Sequence, residues 1–225
     1  MNVKIFSVTL GLDHCYLIKG TEAILIDGGA PNQVDRFKQI IEQLRVEPED
    51  IKLILLTHGH WDHIASTKDI EAITGARVAL HSREKDWLEK GLTPMPPGVT
   101  LWGRILSWPV GIYARSIVIP TTQVDIVLND NEWSLAEYGI PGKVIHTPGH
   151  SSGSVTILLE TGDAFVGDLA MNAFPLRLSP GLPIFAEDME SVKASWKKLF
   201  NLSVRTVYPA HGKPFSADIM RKALQ

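Results

Sequence analysis

Between Thr57 and His63 the chain reads Thr-His-Gly-His-Trp-Asp-His, so His58, His60, Asp62 and His63 place three imidazoles and a carboxylate within six residues. Imidazole nitrogen and carboxylate oxygen suit zinc, and also iron or manganese. Three more candidates follow: His150 in Thr147-Pro148-Gly149-His150-Ser151-Ser152-Gly153, Asp168 after Val166-Gly167, and His211 in Pro209-Ala210-His211-Gly212. Each is predicted just past a strand, where open α/β sheets place their sites. Any one of them alone would read as an ordinary turn residue. With the first motif they make seven ligands, too many for one tetrahedral zinc and suitable for two metals with open positions.

Two metals about 3.5–4 Å apart can share one hydroxide and lower the pKa of water from 15.7 to about 7. A nucleophile then exists at neutral pH without a catalytic serine or cysteine. One ion polarises the scissile oxygen and the other stabilises the leaving group. Asp62 is placed to orient the hydroxide or pass its proton on, which makes it the candidate catalytic residue. Lone Cys15, in Cys15-Tyr16-Leu17-Ile18, reads as core, and His14, His81 and His146 read as structural or exposed.

The order H-x-H-x-D-H, then His, Asp and His, resembles the metallo-β-lactamase superfamily and, within it, the glyoxalase-II-like hydrolases, over Asp27 to His211. The resemblance implies a four-layer αβ/βα sandwich with the metals at one edge, between two sheets. It assigns His58, His60 and His150 to the first metal, Asp62, His63 and His211 to the second, and Asp168 to both. Asp27 matches a family aspartate that supports the ligands. The same resemblance narrows the substrate. Asp168 stands where true β-lactamases usually carry another residue. Quorum-quenching lactonases carry a tyrosine soon after the bridging aspartate, and here Leu169 to Phe174 contain none. Glyoxalase II enzymes continue into a helical region beyond the last histidine, whereas this sequence ends soon after His211. Members with flavin partners usually have a glutamate where His60 stands. What remains is a small ester, thioester or lactone. The alternatives are an iron-dependent persulfide dioxygenase, a phosphodiesterase of the same fold, or a non-catalytic metal-binding relative.

The elements that must position these residues alternate between strand and helix, an α/β or α+β pattern of stacked layers. Strands are expected at 3–9, 15–18 and 23–26, with Asp27-Gly28-Gly29 closing the third. Val34, Phe37, Ile40, Ile41 and Leu44 recur at helical spacing and predict an amphipathic helix over 32–46. Ile51 to Leu56 reads as a strand buried on both faces, leading straight into the histidine motif. A helix at 64–74, a strand at 77–80 and a short helix capped by Ser82 follow. Further strands are expected at 124–128, 132–136, 143–146, 154–159, 164–166 and 205–208, with a helix after Asp188 and another from about Ser216.

Residues 91–124 depart from this rhythm, with five prolines and Arg104 and Arg115 as their only charges. They read as an apolar insertion in a single domain spanning 1–225. They could supply extra core, a homodimer contact, or a flap over the metals. The length and 44% hydrophobic content fit one large core. The net charge of -3 and the absence of a basic arm disfavour a nucleic-acid partner and leave a small-molecule substrate. No run approaches the roughly 20 apolar residues of a membrane span. No signal peptide is legible at the start, because Asp13 and His14 interrupt the apolar residues, and one cysteine forms no intrachain disulfide; a cytoplasmic protein is the expectation.

Overall fold

A computed structural model describes residues 3–224; Met1, Asn2 and Gln225, which the expected single domain includes, lie outside the described residues. Strands β1 (Lys4–Leu10), β2 (Asp13–Lys19) and β3 (Ala23–Ile26) form an antiparallel meander. Helix α1 (Val34–Leu44) then crosses over to β4 (Ile51–Leu55), which runs parallel to β3. Helices α2 (Trp61–Ile64) and α3 (Thr67–Thr74) lead to β5 (Arg77–His81). Helices α4 (Lys85–Glu89) and α5 (Leu101–Ser116) lead to β6 (Ile126–Leu128), and β4, β5 and β6 pair in parallel. The first sheet therefore has the order β1-β2-β3-β4-β5-β6.

The second sheet is built from β7 (Trp133–Ser134), β8 (Gly142–His146), β9 (Val155–Leu159), β10 (Asp163–Asn172), β11 (Thr206–Gly212) and β12 (Phe215–Ser216), in the order β12-β11-β10-β9-β8-β7. Helix α6 (Met189–Asn201) carries the chain from β10 to its parallel neighbour β11, and α7 (Ala217–Ala223) follows β12.

Alternation along the strands separates three apolar layers. Ile24, Ile26, Leu53 and Leu55 face Val155, Ile157, Leu159 and Phe165 between the sheets. Leu25, Ile54 and Val78 point the other way, onto Phe37 and Ile41 of α1 and Ile70 of α3. On the far side, Leu158, Ala164 and Val166 meet Val192, Trp196 and Leu199 of α6. The result is the four-layer αβ/βα sandwich. Tyr16 ties the sheets at the edge where the site lies, its hydroxyl donating to the Pro209 carbonyl at 2.8 Å.

Several expected elements shift. The helix expected over 64–74 is two helices, broken where the Ser66 hydroxyl accepts from Gln33 N–H and donates to the Ala30 carbonyl. The expected Ser82 cap is replaced by Glu84 at the start of α4, without a side-chain capping bond. β7 stops at Ser134 and gives way to a 3-10 turn at Ala136–Tyr138. β10 and β11 run well beyond the expected ends. Asp168 and His211 therefore lie inside strands rather than past them, Asp168 where β10 slips its register against β11 between Gly167 and Met171. Asp188 caps α6, and α7 begins where a last helix was expected, with Ser216 as its cap. In the proline-rich stretch, α5 is a 16-residue helix with Pro109 inside it.

Candidate metal centre

β4 ends at Leu55, and the next eight residues deliver four candidate ligands. His58 and His60 lie on the loop, His60 caps α2, and Asp62 and His63 are on α2 itself. Two carboxylates fix this loop from behind. Asp27, at positive φ just after β3, accepts from the Thr57 backbone N–H at 2.7 Å with Oδ1, and its Oδ2 is 3.0 Å from His63 Nδ1. That bond takes the Nδ1 proton of His63 and turns Nε2 toward the cluster. Glu84 is fully buried and accepts two backbone N–H bonds of 2.6 Å each, from Gly59 and from Gly153. It thereby joins the His58–His60 loop of one sheet to the His150 turn of the other. Both loops approach too closely for a side chain: a Cβ on Gly59 would lie 2.8 Å from Trp87, and one on Gly153 would lie 2.8 Å from the Glu84 carboxyl.

The seven sequence candidates converge. Donor atoms of His58, His60 and His150 lie within 4.8 Å of one another, as do those of Asp13, Asp62, His63 and His211, and those of His58, His63 and Asp168. Asp168 stands between the groups, its oxygens 3.6 Å from His63 Nε2, 3.6 Å from His150 Nε2 and 3.4 Å from His211 Nε2. His150 donates Nδ1–H to the Phe185 carbonyl at 2.8 Å, which leaves Nε2 facing inward. Asp62 is the most open of the set, its side chain 19% exposed against at most 8% for the others.

Asp13 is the addition that the motifs did not supply. It is buried on β2, with Oδ1 3.1 Å from His211 Nδ1, close as an ion pair although not aligned as a hydrogen bond. In the sequence it falls between the strands expected at 3–9 and 15–18, with no motif around it, and its partner is on another sheet. Glu84 left no motif either, because it binds backbone.

The electrostatics divide the histidines. Burial, reinforced by the neighbouring imidazoles, holds His58 well below the ordinary histidine range and His60 down to about 3, and burial also lowers His150. For His63 burial again opposes the charge, but Asp27 and Asp62 outweigh it and raise the pKa well above normal. Asp168 and Asp13 do the same for His211. Burial pushes the Asp13 carboxyl up. It would do the same to Asp168, but His211 and His63 hold that group well below the carboxylate range.

The donor set fits metal ions on a direct test. His58 Nε2, His63 Nε2 and Asp168 Oδ1 are buried with no hydrogen-bond partner, although such atoms are almost always satisfied. Three orphaned donors sharing one small volume are accounted for by cations between them.

Of the remaining histidines, His14 Nδ1 meets the Ser7 and Thr9 hydroxyls. His81 stacks on His146 at 4.6 Å beside Asp130. Arg83 already supplies the cation there, 2.8 Å from Asp130. Cys15 is buried in the core as expected.

A two-sheet sandwich with an edge cluster of histidines and aspartates defines a metallohydrolase-like class of protein. The metallo-β-lactamase superfamily model matches residues 8–211, and the chain belongs to that superfamily. It is 28% identical to the β-lactamase-like protein 2 homolog of Drosophila melanogaster over 95% of this chain and 63% of that protein, so it spans less than two thirds of that relative's length. It is 27% identical to the probable metallo-hydrolase YflN of Bacillus subtilis over 89% of this chain and 79% of that protein. Among solved structures it superposes on the BLEG-1 B3 metallo-β-lactamase with a TM-score of 0.69 at 21% identity, covering 96% of this chain and 95% of that one. A protein solved in a di-iron-bound form gives 0.69 at 24% identity, covering 97% and 98%.

Proposed function

We propose that the chain is a dinuclear metal-dependent hydrolase acting on a small ester, thioester or lactone. The observation that carries this reading is the convergence of two buried donor groups on one carboxylate, Asp168. On this reading His58, His60 and His150 would hold one ion, Asp62, His63 and His211 would hold the other, and Asp168 would serve both. Zinc is the ion proposed, since imidazole nitrogens and carboxylates in a buried site with open positions suit it. Two such ions, when bound, supply an acidified water and an electrophile for the substrate carbonyl.

The chain's own residues do the rest. Asp27 and the Phe185 carbonyl hold the Nδ1 protons of His63 and His150, so both rings keep Nε2 toward the ions. Glu84 keeps the two ligand loops at a fixed separation. Asp62, at the solvent side of the cluster, orients the attacking water and takes its proton.

The test is elemental analysis together with a hydrolysis screen of esters, thioesters, lactones and phosphodiesters on zinc-, manganese- and iron-loaded protein. The expected outcome is close to two metals per chain and turnover of a carbonyl substrate. Asp168→Ala is expected to fall to one metal or fewer. Protein that never exceeds one metal per chain in excess zinc overturns the dinuclear assignment. Oxygen uptake with a persulfide, and no hydrolysis, overturns the reaction class.

A further inference from the structure

Helix α5 is built inside out. Leu101, Ile105, Trp108 and Ile112 follow the i, i+4, i+7, i+11 spacing of a helix's buried stripe, and at 3.6 residues per turn they share a sector of about 60°. That stripe faces water: the four side chains are 77%, 55%, 75% and 53% exposed. The small residues Gly103 and Ala114 are buried instead, and Leu106 packs on Met171, Ile184 and Phe185. Arg104 and Arg115 run along one edge of the stripe.

The neighbouring segment, residues 173–186, continues the character. It is tied to α5 by the Trp102 indole N–H, which donates to the Pro175 carbonyl at 2.8 Å, and to the residues just before the helix by pairing of Gly98 with Phe185. It exposes Phe174 and Leu178 at 81% and 93%. Its one charge is Arg177. Residues 91–124 and 173–186 together carry three arginines and no carboxylate, in a chain whose net charge is -3.

We propose that this face docks the protein on an anionic lipid surface, with α5 lying in the plane of the bilayer interface. An outward apolar stripe with tryptophan, edged by arginine and free of acids, is the pattern of an interfacial helix. At about 24 Å it is long enough to lie along the headgroups and too short to cross the membrane. A second copy of this chain fits less well. A twofold contact would pair this face with itself, and neither copy's segments hold a carboxylate to meet the three arginines. Docking also brings the metal cluster to the bilayer. Tyr113 of α5 packs edge-on against Trp61 at 5.5 Å, one residue before Asp62, and Phe185 holds His150. A substrate with an acyl chain would then enter from the lipid side. The docking itself does not depend on the hydrolase reading, because the assay below reads binding alone.

The experiment is flotation of the purified protein with phosphatidylcholine vesicles, with and without phosphatidylglycerol. Binding is expected to the phosphatidylglycerol vesicles, with a blue shift of tryptophan emission. Trp108→Ser with Ile112→Ser should abolish it while metal content and the rate on a water-soluble substrate stay unchanged. Arg104→Gln and Arg115→Gln should each weaken it about fivefold at low salt. Absence of binding to both vesicle types overturns the proposal. So does a dimer, seen by analytical ultracentrifugation, that the Trp108/Ile112 variant converts to monomer.

Discussion

At the scale of single residues the two donor groups place opposite demands on protons. His58, His60 and His150 are held neutral by burial and by one another, so their lone pairs are free at pH 7. His63 and His211 are held charged by Asp27, Asp62, Asp168 and Asp13. An ion entering the second group must displace those protons, while one entering the first displaces none. Titration calorimetry in buffers of different ionisation enthalpy is therefore expected to show that the ligands release about two protons per chain at pH 7, both from filling the second group, in addition to the proton of the water that the two ions acidify together. Equal release from both groups would contradict this division. Asp13 matters to the same group. Asp13→Asn is expected to lower metal affinity there by about 10–100-fold and leave the first ion in place, as read by competition with a chromophoric chelator. The seven ligand candidates were legible because four sit in one motif and three follow in turn-rich contexts beside apolar runs. Asp13 was not, because its meaning lies in an imidazole on a different sheet.

At the scale of elements, the site depends on two loops that meet across the sandwich. Glu84 accepts from one N–H in each, and its burial leaves no water to replace it. In Glu84→Gln the amide nitrogen must face one of those N–H groups, donor to donor. The expected cost is about 1–3 kcal/mol, the penalty of a buried unsatisfied group, together with weaker metal binding. Thermal melting with and without zinc measures both, and an unchanged variant would show that the loops hold themselves. Periodicity marked most strands and helices, since burial on one or both faces writes itself into the sequence, as in Ile51–Leu55 and α1. It failed at α5 for a physical reason. The apolar residues keep helical spacing, but the surrounding prolines, with Pro109 inside the helix, read as breaks, and the stripe faces outward, so the pattern misleads about burial rather than about helicity. Strand order was also beyond reach, because it is set by pairings between distant segments such as β10 with β11.

At the scale of the whole molecule, the cluster joins the two sheets. Asp13 and the 58–63 segment belong to the first sheet, and Asp168 and His211 belong to the second, with His150 on the turn between β8 and β9. Ions there would cross-link the sandwich at one edge, so removing them should alter both stability and its pH dependence. In the metal-free protein His60 has a folded pKa near 3, below its unfolded value of about 6.5. Its contribution is complete above pH 6.5 and is lost as pH falls toward 3. His63 and His211 have folded values raised above 6.5. Their contribution is complete below pH 6.5 and is lost as pH rises through the folded values. Chelated protein should therefore melt highest near neutral pH and lose stability on both sides. In metal-loaded protein an ion would take the place of the titrating proton on His63 and on His211 and leave both rings neutral, so the alkaline fall should flatten, while the acid fall remains because protons compete with metal for every ligand. Added zinc at about 100 times its dissociation constant should contribute about 2.7 kcal/mol per site. Melting temperatures from pH 5 to 9, with chelator and with zinc, measure this. An alkaline fall of the same size in both states would mean that His63 and His211 are not the groups that metal displaces.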